Sequence, residues 1–266
     1  MKARLVIIGF GAIATDLIGR LQSKYGSDCV LAVLLRPNSQ SRTSLPSDIS
    51  CLSSLDELLQ FRPDLVVEAA GHHAVRSYAA DCLHAGISFV ATSVGAMADD
   101  VLFKKLSVAA MEGGAKLILP SGAIGALDYV RAVRDVSDVH VTYESRKPPS
   151  AWLEELIRLK IDLPVKDCVT LFDGDARDAA LSYPQNLNVA ASLALAGNGF
   201  ERTSVKIIVD PDAKGNMHRV NAVGAFGEMR LDITNCPSPD NPKTSWVVGL
   251  SLFATVERFF APVIFG

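Results

Sequence analysis

The run Arg4-Leu5-Val6-Ile7-Ile8 stops abruptly at Gly9-Phe10-Gly11-Ala12-Ile13-Ala14. Branched apolar residues without polar alternation suit a strand buried on both faces, and such a strand belongs in a parallel sheet. Comparable runs recur at Val30–Leu35, Leu65–Glu68, Ile87–Thr92 and Lys116–Leu119, each separated from the next by a segment of helical periodicity. Strand and helix alternate, so the first part of the chain is expected to form a doubly wound parallel sheet with helices on its faces.

Beyond Pro120 the pattern changes. A helix is expected over Ala123–Asp135, and Val139–Tyr143 alternates like a strand with one solvated face. Val205–Val209, His218–Val223 and Glu228–Ile233 alternate as well, and read as antiparallel neighbours joined by the turns Asp210-Pro211-Asp212 and Gly224-Ala225-Phe226-Gly227. Cys236–Pro242 is too rich in proline for a helix or a ladder and reads as a crossing, followed by an apolar helix from about Ser245 to Phe260 that packs back on the first domain. The expected architecture is α/β: a Rossmann-type domain over 1–120, completed by 240–266, and a second α/β domain over 121–239 with an open mixed or antiparallel sheet.

The hexapeptide after the first strand has a physical use. It opens a helix, whose free N–H groups and positive dipole end can hold a pyrophosphate. Gly9 permits the tight turn, Gly11 lets phosphate approach the backbone, and Ala12 and Ile13 contribute the first helical N–H groups. The bland reading is an ordinary strand-to-helix turn. At the end of the second strand, where an acid usually meets the adenosine ribose, the chain has Leu35-Arg36-Pro37-Asn38-Ser39-Gln40-Ser41-Arg42. Arg36 could stack on adenine and bind a 2′-phosphate, with Ser39 or Arg42 assisting, or it could be a surface arginine. Both NAD and NADP therefore remain open as cofactor.

Composition narrows the partners. The net charge of −3 and the scattered lysines and arginines leave no basic stripe for nucleic acid. Five widely spaced cysteines, Cys29, Cys51, Cys82, Cys168 and Cys236, fit reduced thiols in a reducing compartment, without zinc-type pairing. The apolar run behind Met1–Leu5 breaks at Gly9, too soon for a signal peptide, and no segment reaches transmembrane length. A soluble cytoplasmic protein without a metal centre is expected.

Four stretches are unusual for connectors: Glu68-Ala69-Ala70-Gly71-His72-His73, Thr92-Ser93-Val94-Gly95-Ala96, Pro120-Ser121-Gly122-Ala123-Ile124-Gly125-Ala126 and Tyr183-Pro184-Gln185-Asn186-Leu187-Asn188-Val189-Ala190. The first three follow the carboxyl ends of parallel strands, where open α/β sheets bind ligands. Together with Ser145-Arg146-Lys147-Pro148-Pro149 and Gly215-Asn216-Met217-His218-Arg219-Val220, they resemble the L-aspartate dehydrogenases over nearly the whole chain. The resemblance implies oxidative deamination of L-aspartate with NAD or NADP, feeding iminoaspartate to NAD biosynthesis or releasing oxaloacetate and ammonia. It implies a homodimer, cofactor contacts at Ala123 and Asn188, and a catalytic histidine at His218.

Residue chemistry agrees with that role. Hydride leaves Cα of an amino acid only after its ammonium loses a proton, and a histidine titrating near neutrality can take it. A lone histidine is also often structural. His72 and His73 read as helix-start caps or loose cofactor contacts, and His84 and His140 as structural. Two substrate carboxylates need fixed donors. Ser121, Arg146 and Lys147 are candidates, although a solvated basic turn would look the same. Asp173, Asp175 and Asp178 read as a glycine-containing loop able to meet an ammonium or simply exposed. Two alternatives remain: a related homoserine or dihydrodipicolinate-type reductase, and a dinucleotide sensor without proton transfer.

Overall fold

Complete burial of Leu5, Val6, Ile7, Val66, Val67, Phe89 and Val90 is what parallel strands covered on both faces require. The computed structural model describes residues 3–183, 188–239 and 241–264, and the chain forms two units. One runs to Pro120 and resumes at Gly249; the other is Ser121–Val248.

The first unit contains β1 (Ala3–Ile8), α1 (Ala12–Tyr25), β2 (Cys29–Leu34), β3 (Ser50–Leu52), α2 (Leu55–Phe61), β4 (Leu65–Glu68), α3 (His72–His84), β5 (Ser88–Ala91), α4 (Asp100–Glu112) and β6 (Leu117–Ile118). Its six strands are all parallel, in the order β3-β2-β1-β4-β5-β6. β3 was not expected, because three residues are too few to show a period. The strand order reverses direction at the junction of β1 and β4, which opens a crevice at their carboxyl ends. α1 buries Ala14, Leu17, Ile18 and Leu21, one face at helical spacing.

The second unit contains α5 (Leu127–Val133), β7 (His140–Lys147), α6 (Leu153–Arg158), β8 (Val169–Asp175), α7 (Ala176–Ser182), α8 (Asn188–Ala196), β9 (Thr203–Val209), β10 (Asn216–Gly224), β11 (Gly227–Asn235), β12 (Pro237–Ser238) and β13 (Asn241–Ser245). The chain then enters α9 (Val247–Phe260), whose Leu252 and Val256 join Leu5, Leu17 and Leu21 in the core of the first unit. Gly249 lets the two helices approach closely: a Cβ there would lie 2.0 Å from Asp16 Oδ2 on α1, and that carboxylate would have to swing away.

The mixed sheet runs β11-β10-β7-β9-β8, with β7 and β9 parallel and the other pairs antiparallel. β9 and β10 are thus not neighbours, as their short polar link had suggested; β7 lies between them. Residues 210–215 readily span the roughly 10 Å across one intervening strand.

Four other expectations are corrected. The helix expected from Ala123 begins only at Leu127, because Gly122 and Ala126 take left-handed conformations with φ of 64° and 59°. Arg146 and Lys147 are the last residues of β7 and not a turn beyond it. The supposed acidic loop is β8 followed by α7, with Asp175 capping that helix by accepting from the Asp178 N–H at 2.9 Å. The proline-rich crossing pairs as the β12–β13 ladder, since an isolated two-stranded ribbon leaves each strand one outward edge where proline removes no bond.

Candidate functional site

In the first unit the glycine turn sits at the carboxyl end of β1, beside β4. Gly9 has φ +97°, and a Cβ there would lie 2.8 Å from the Ala69 carbonyl oxygen and the Ala70 Cβ. It is glycine because two strand-to-helix turns pass too closely for a side chain. Gly11 differs: a Cβ would meet nothing within 4 Å. Gly11 caps α1 without a side-chain hydrogen bond, and the first turn carries no acid. Open space before uncapped N–H groups fits a pyrophosphate. Ala12 and Ile13 are half-buried, with Ile13 packed on the core, so their contribution here is through the backbone.

Glu68, fully buried at the end of β4, laces the crevice together. One carboxylate oxygen accepts from the Ala70 and Gly71 N–H groups, both at 2.7 Å, and from the Ser93 hydroxyl at 2.9 Å; the other accepts from Ser93 N–H at 3.0 Å. The loops after β4 and β5 are thereby tied to one side chain. The only sequence signal was an acid ending an apolar strand. Arg36 is exposed beyond β2. Arg42 donates to the Leu35 carbonyl at 3.3 Å and the Ser53 hydroxyl at 3.1 Å, so it braces this loop.

The second unit concentrates polar groups on the buried face of its sheet. Alternation along β7 places Tyr143, Ser145 and Lys147 on that face, and β10 adds Asn216 and His218. Register puts His218 directly opposite Ser145. Tyr143 and Lys147 consequently flank it along the neighbouring strand. Tyr143 Oη lies 2.8 Å from His218 Nδ1, with the two ring planes nearly parallel, 12° apart. His218 Nε2 is buried with no partner among the described residues. Lys147 is 5% exposed, and its ammonium has no carboxylate within ion-pairing distance among the described residues; it stands 5.4 Å from the centre of the Trp152 ring.

Burial pushes Lys147 down to about 8, with Glu155 opposing that shift. His218 is lowered to about 4, first by burial and then by the Lys147 charge. The expected near-neutral titration is therefore corrected: at pH 7 this imidazole is uncharged. Buried polar atoms normally have partners, so an orphaned imidazole nitrogen beside an unpaired ammonium marks a place for a polar, anionic ligand.

The sequence profile of the family described as "Aspartate dehydrogenase, C-terminal" matches residues 128–259, and that of "Homoserine dehydrogenase, NAD binding domain" matches residues 9–120. The chain is 47% identical to L-aspartate dehydrogenase 2 of Bordetella bronchiseptica across the whole of both chains. It is 40% identical to L-aspartate dehydrogenase of Ruegeria pomeroyi, covering 97% of this chain and 92% of that one. The chain belongs to the L-aspartate dehydrogenase family. A crystal structure of aspartate dehydrogenase from Thermotoga maritima superposes with a TM-score of 0.75 at 25% identity, covering 100% of each chain.

Within this L-aspartate dehydrogenase family member, the candidates fall into groups. Lys147 and His218 share one buried face. Arg146 is on the opposite face, bonded to Glu144 and Asp210, each at 3.0 Å, and is not brought to them. Ala123 lies in the Ser121–Gly125 turn, which is fixed to the sheet where Asn235 Nδ2 donates to the Ala123 carbonyl at 2.8 Å. Asn235 pairs in register with Asn216, so Ser121 and Ala123 belong to the end of the sheet at which β10 begins. Asn188 starts α8; Pro184–Leu187 of its motif lie outside the described residues, as does Asp240 of the proline-rich segment. Sequence reading missed Tyr143, which carried no signal beyond an alternating strand. Among the described residues no His, Cys, Asp and Glu cluster could hold a metal, and no helix is long and apolar enough to cross a membrane.

Proposed function

We propose that this chain catalyses NAD(P)-dependent oxidation of L-aspartate to iminoaspartate, which hydrolyses to oxaloacetate and ammonia or is consumed in NAD biosynthesis. The observation that carries the reading is the buried face holding both His218 Nε2, without a hydrogen-bond partner among the described residues, and the Lys147 ammonium, without a carboxylate in ion-pairing distance among them. An amino acid with two carboxylates offers what each lacks: an ammonium proton for the imidazole and a carboxylate for the lysine. The bound nicotinamide supplies the hydride acceptor for Cα. The Gly9–Ala14 turn holds the cofactor pyrophosphate, with Ala123 and Asn188 as further cofactor contacts and Ser121 as an additional carboxylate donor.

His218 takes the ammonium proton at Nε2, leaving a neutral amine whose lone pair can drive hydride loss from Cα. A base lowered to about 4 is weak for this step. A carboxylate seated on Lys147 neutralises the charge that depresses His218, so substrate binding raises the basicity of the imidazole as it is needed. Arg36, exposed where a ribose-binding acid would stand, permits NADP without excluding NAD. A homodimer and a cytoplasmic setting accompany the reading.

The test is reduction of NAD and of NADP with L-aspartate, L-glutamate and L-homoserine as separate substrates. Aspartate-dependent reduction with release of ammonia supports the proposal. Reduction by homoserine alone, or by none of the three in a protein that binds cofactor, overturns it.

A further inference from the structure

Sheet register assembles a block of polar side chains larger than the pair of Lys147 and His218. On the buried face Ser145 stands opposite His218, and one step further along the same register Asn216 stands opposite Lys147. Positions facing each other across the two strands are about 5 Å apart and those along one strand about 7 Å, so the four form a compact rectangle. Its flanks are apolar or already engaged. On β9 the register partners of Ser145 and Lys147 are Ile207 and Val209, both fully buried. On β11 the partner of His218 is Ile233, and that of Asn216 is Asn235, whose amide nitrogen donates to the Ala123 carbonyl.

Ser145 is 0% exposed, and its Oγ has no hydrogen-bond partner among the described residues. Burying a hydroxyl in that condition opposes folding, and alanine at the same position would avoid the penalty. Asn216 is 1% exposed and donates from Nδ2 to Ser245 Oγ at 3.0 Å, which leaves Oδ1, an acceptor, also without a partner among the described residues. Neither oxygen holds the sheet together. With His218 Nε2 and the Lys147 ammonium, one strand pair thus presents four unsatisfied polar groups, where protein interiors leave few. The block contains a cation and no carboxylate. Its complement is a small ligand with a carboxylate for the donors and an N–H group for the amide oxygen.

We infer that Ser145 and Asn216 are substrate-binding residues, and that the amino acid lies across the strand pair with one carboxylate over β7, on Lys147 and Ser145, and its nitrogen over β10, beside Asn216 and His218. The inference rests on the proposed oxidation of aspartate. Donor and acceptor types set the direction. The ammonium of Lys147 and the hydroxyl of Ser145 both belong to β7 and both can donate to a carboxylate, whereas an amide oxygen repels a carboxylate and accepts from an ammonium. Asn216 Oδ1 keeps hold of one substrate N–H while another proton leaves, because the amine and the iminium formed from it by hydride loss both still carry N–H. The nitrogen is thereby held at one place through the reaction by a group that takes no proton itself.

The test sets aspartate against succinate, which has two carboxylates and no nitrogen, on the full chain with cofactor bound. Succinate should compete with aspartate in the wild type. Ser145→Ala should raise KM for aspartate and the inhibition constant of succinate together, each by about tenfold, as loss of one hydrogen bond to a charged group predicts. Its denaturation midpoint should hold or rise, since the hydroxyl it removes has no partner among the described residues. Asn216→Ala should raise KM for aspartate by about tenfold and leave succinate inhibition within about twofold. Should that variant fold poorly, Asn216→Val, with a strand-forming side chain, carries the same comparison. Unchanged KM or a lowered midpoint in Ser145→Ala overturns the inference, as does a wild type indifferent to succinate. An Asn216 variant that loses succinate as much as aspartate also overturns it, because the amide would then face the carboxylate or serve the fold alone. A wild type that binds cofactor but does not oxidise aspartate would instead sink the proposed function, a separate failure.

Discussion

In the first unit the groups proposed to hold the cofactor come from consecutive residues, Gly9 to Ala14, whereas in the second His218 meets Tyr143 across 75 positions of sequence. The difference follows from what each must hold. A pyrophosphate needs only N–H groups at a helix start, and six residues can supply them. Selecting one proton and one carboxylate needs a basic nitrogen and a cation at fixed spacing on a rigid surface, and only a sheet register brings such groups together. Substitutions in the first unit should therefore affect binding or fold separately, while those in the second should affect chemistry and stability together.

The largest effect belongs to His218. Replacing it with alanine should reduce kcat for aspartate oxidation by about a hundredfold or more, the size of a lost general base, with NAD affinity retained. Near-normal turnover in the folded variant would dissolve the contrast between the units.

Lys147→Met should be the next most damaging to activity and yet stabilising. Losing a charge-assisted partner for a carboxylate should raise KM for aspartate by about tenfold to a hundredfold. Folding, in contrast, no longer buries an unpaired ammonium. Lys147 falls from 10.5 to about 8 on folding, so between those values the unfolded chain takes up a proton that the folded chain declines. Stability drops as pH falls through that window and the whole penalty, on the order of 3 kcal/mol, is present below 8. Denaturant titrations should show Lys147→Met more stable than the parent at pH 7, with the gain fading toward pH 10.5. A variant less stable at pH 7 would mean that Lys147 has partners in the resting protein.

Two glycines test the first unit against itself. Gly11→Val should fold normally, since its Cβ enters open space, but weaken either cofactor by about tenfold or more in fluorescence titrations. Gly9→Ala should destabilise the fold by about 2 kcal/mol or more, because its Cβ meets the Ala69 carbonyl at 2.8 Å with φ at +97°. Equal behaviour of the two would remove the phosphate argument.

The smallest effect concerns Arg36. Arg36→Ala should raise KM for NADP by about tenfold and alter that for NAD much less, and the NADP effect should shrink with added salt. Equal losses would make Arg36 an adenine-stacking residue.

The parallel strands were legible because burial on both faces writes itself as uninterrupted apolar runs, as in Leu5–Ile8. β3 and the β12–β13 ribbon were not, being too short for any period. His218 was reached through a resemblance, and its surroundings were not reachable at all. That Lys147 is buried and Arg146 is paired on the other face depends on β7 continuing to residue 147, and the alternation seen at Val139–Tyr143 gave no sign of it. Nor could the depressed titration of His218 be read, since it comes from burial and a cation on another strand.

Leu252 and Val256 close a core whose other members lie near Leu5 and Leu21, and this affects the order in which the chain can fold during synthesis. At about 5–20 residues per second, the whole of Ser121–Val248 must be translated, over roughly ten seconds, before α9 can seat Gly249 beside Asp16. The unit made first is thus finished last. Until then it leaves an apolar flank of α1 and β1 uncovered, the kind of surface that chaperones hold. A message truncated between the codons for Val248 and Leu252 would leave a nascent product whose second unit is complete but whose first unit remains open.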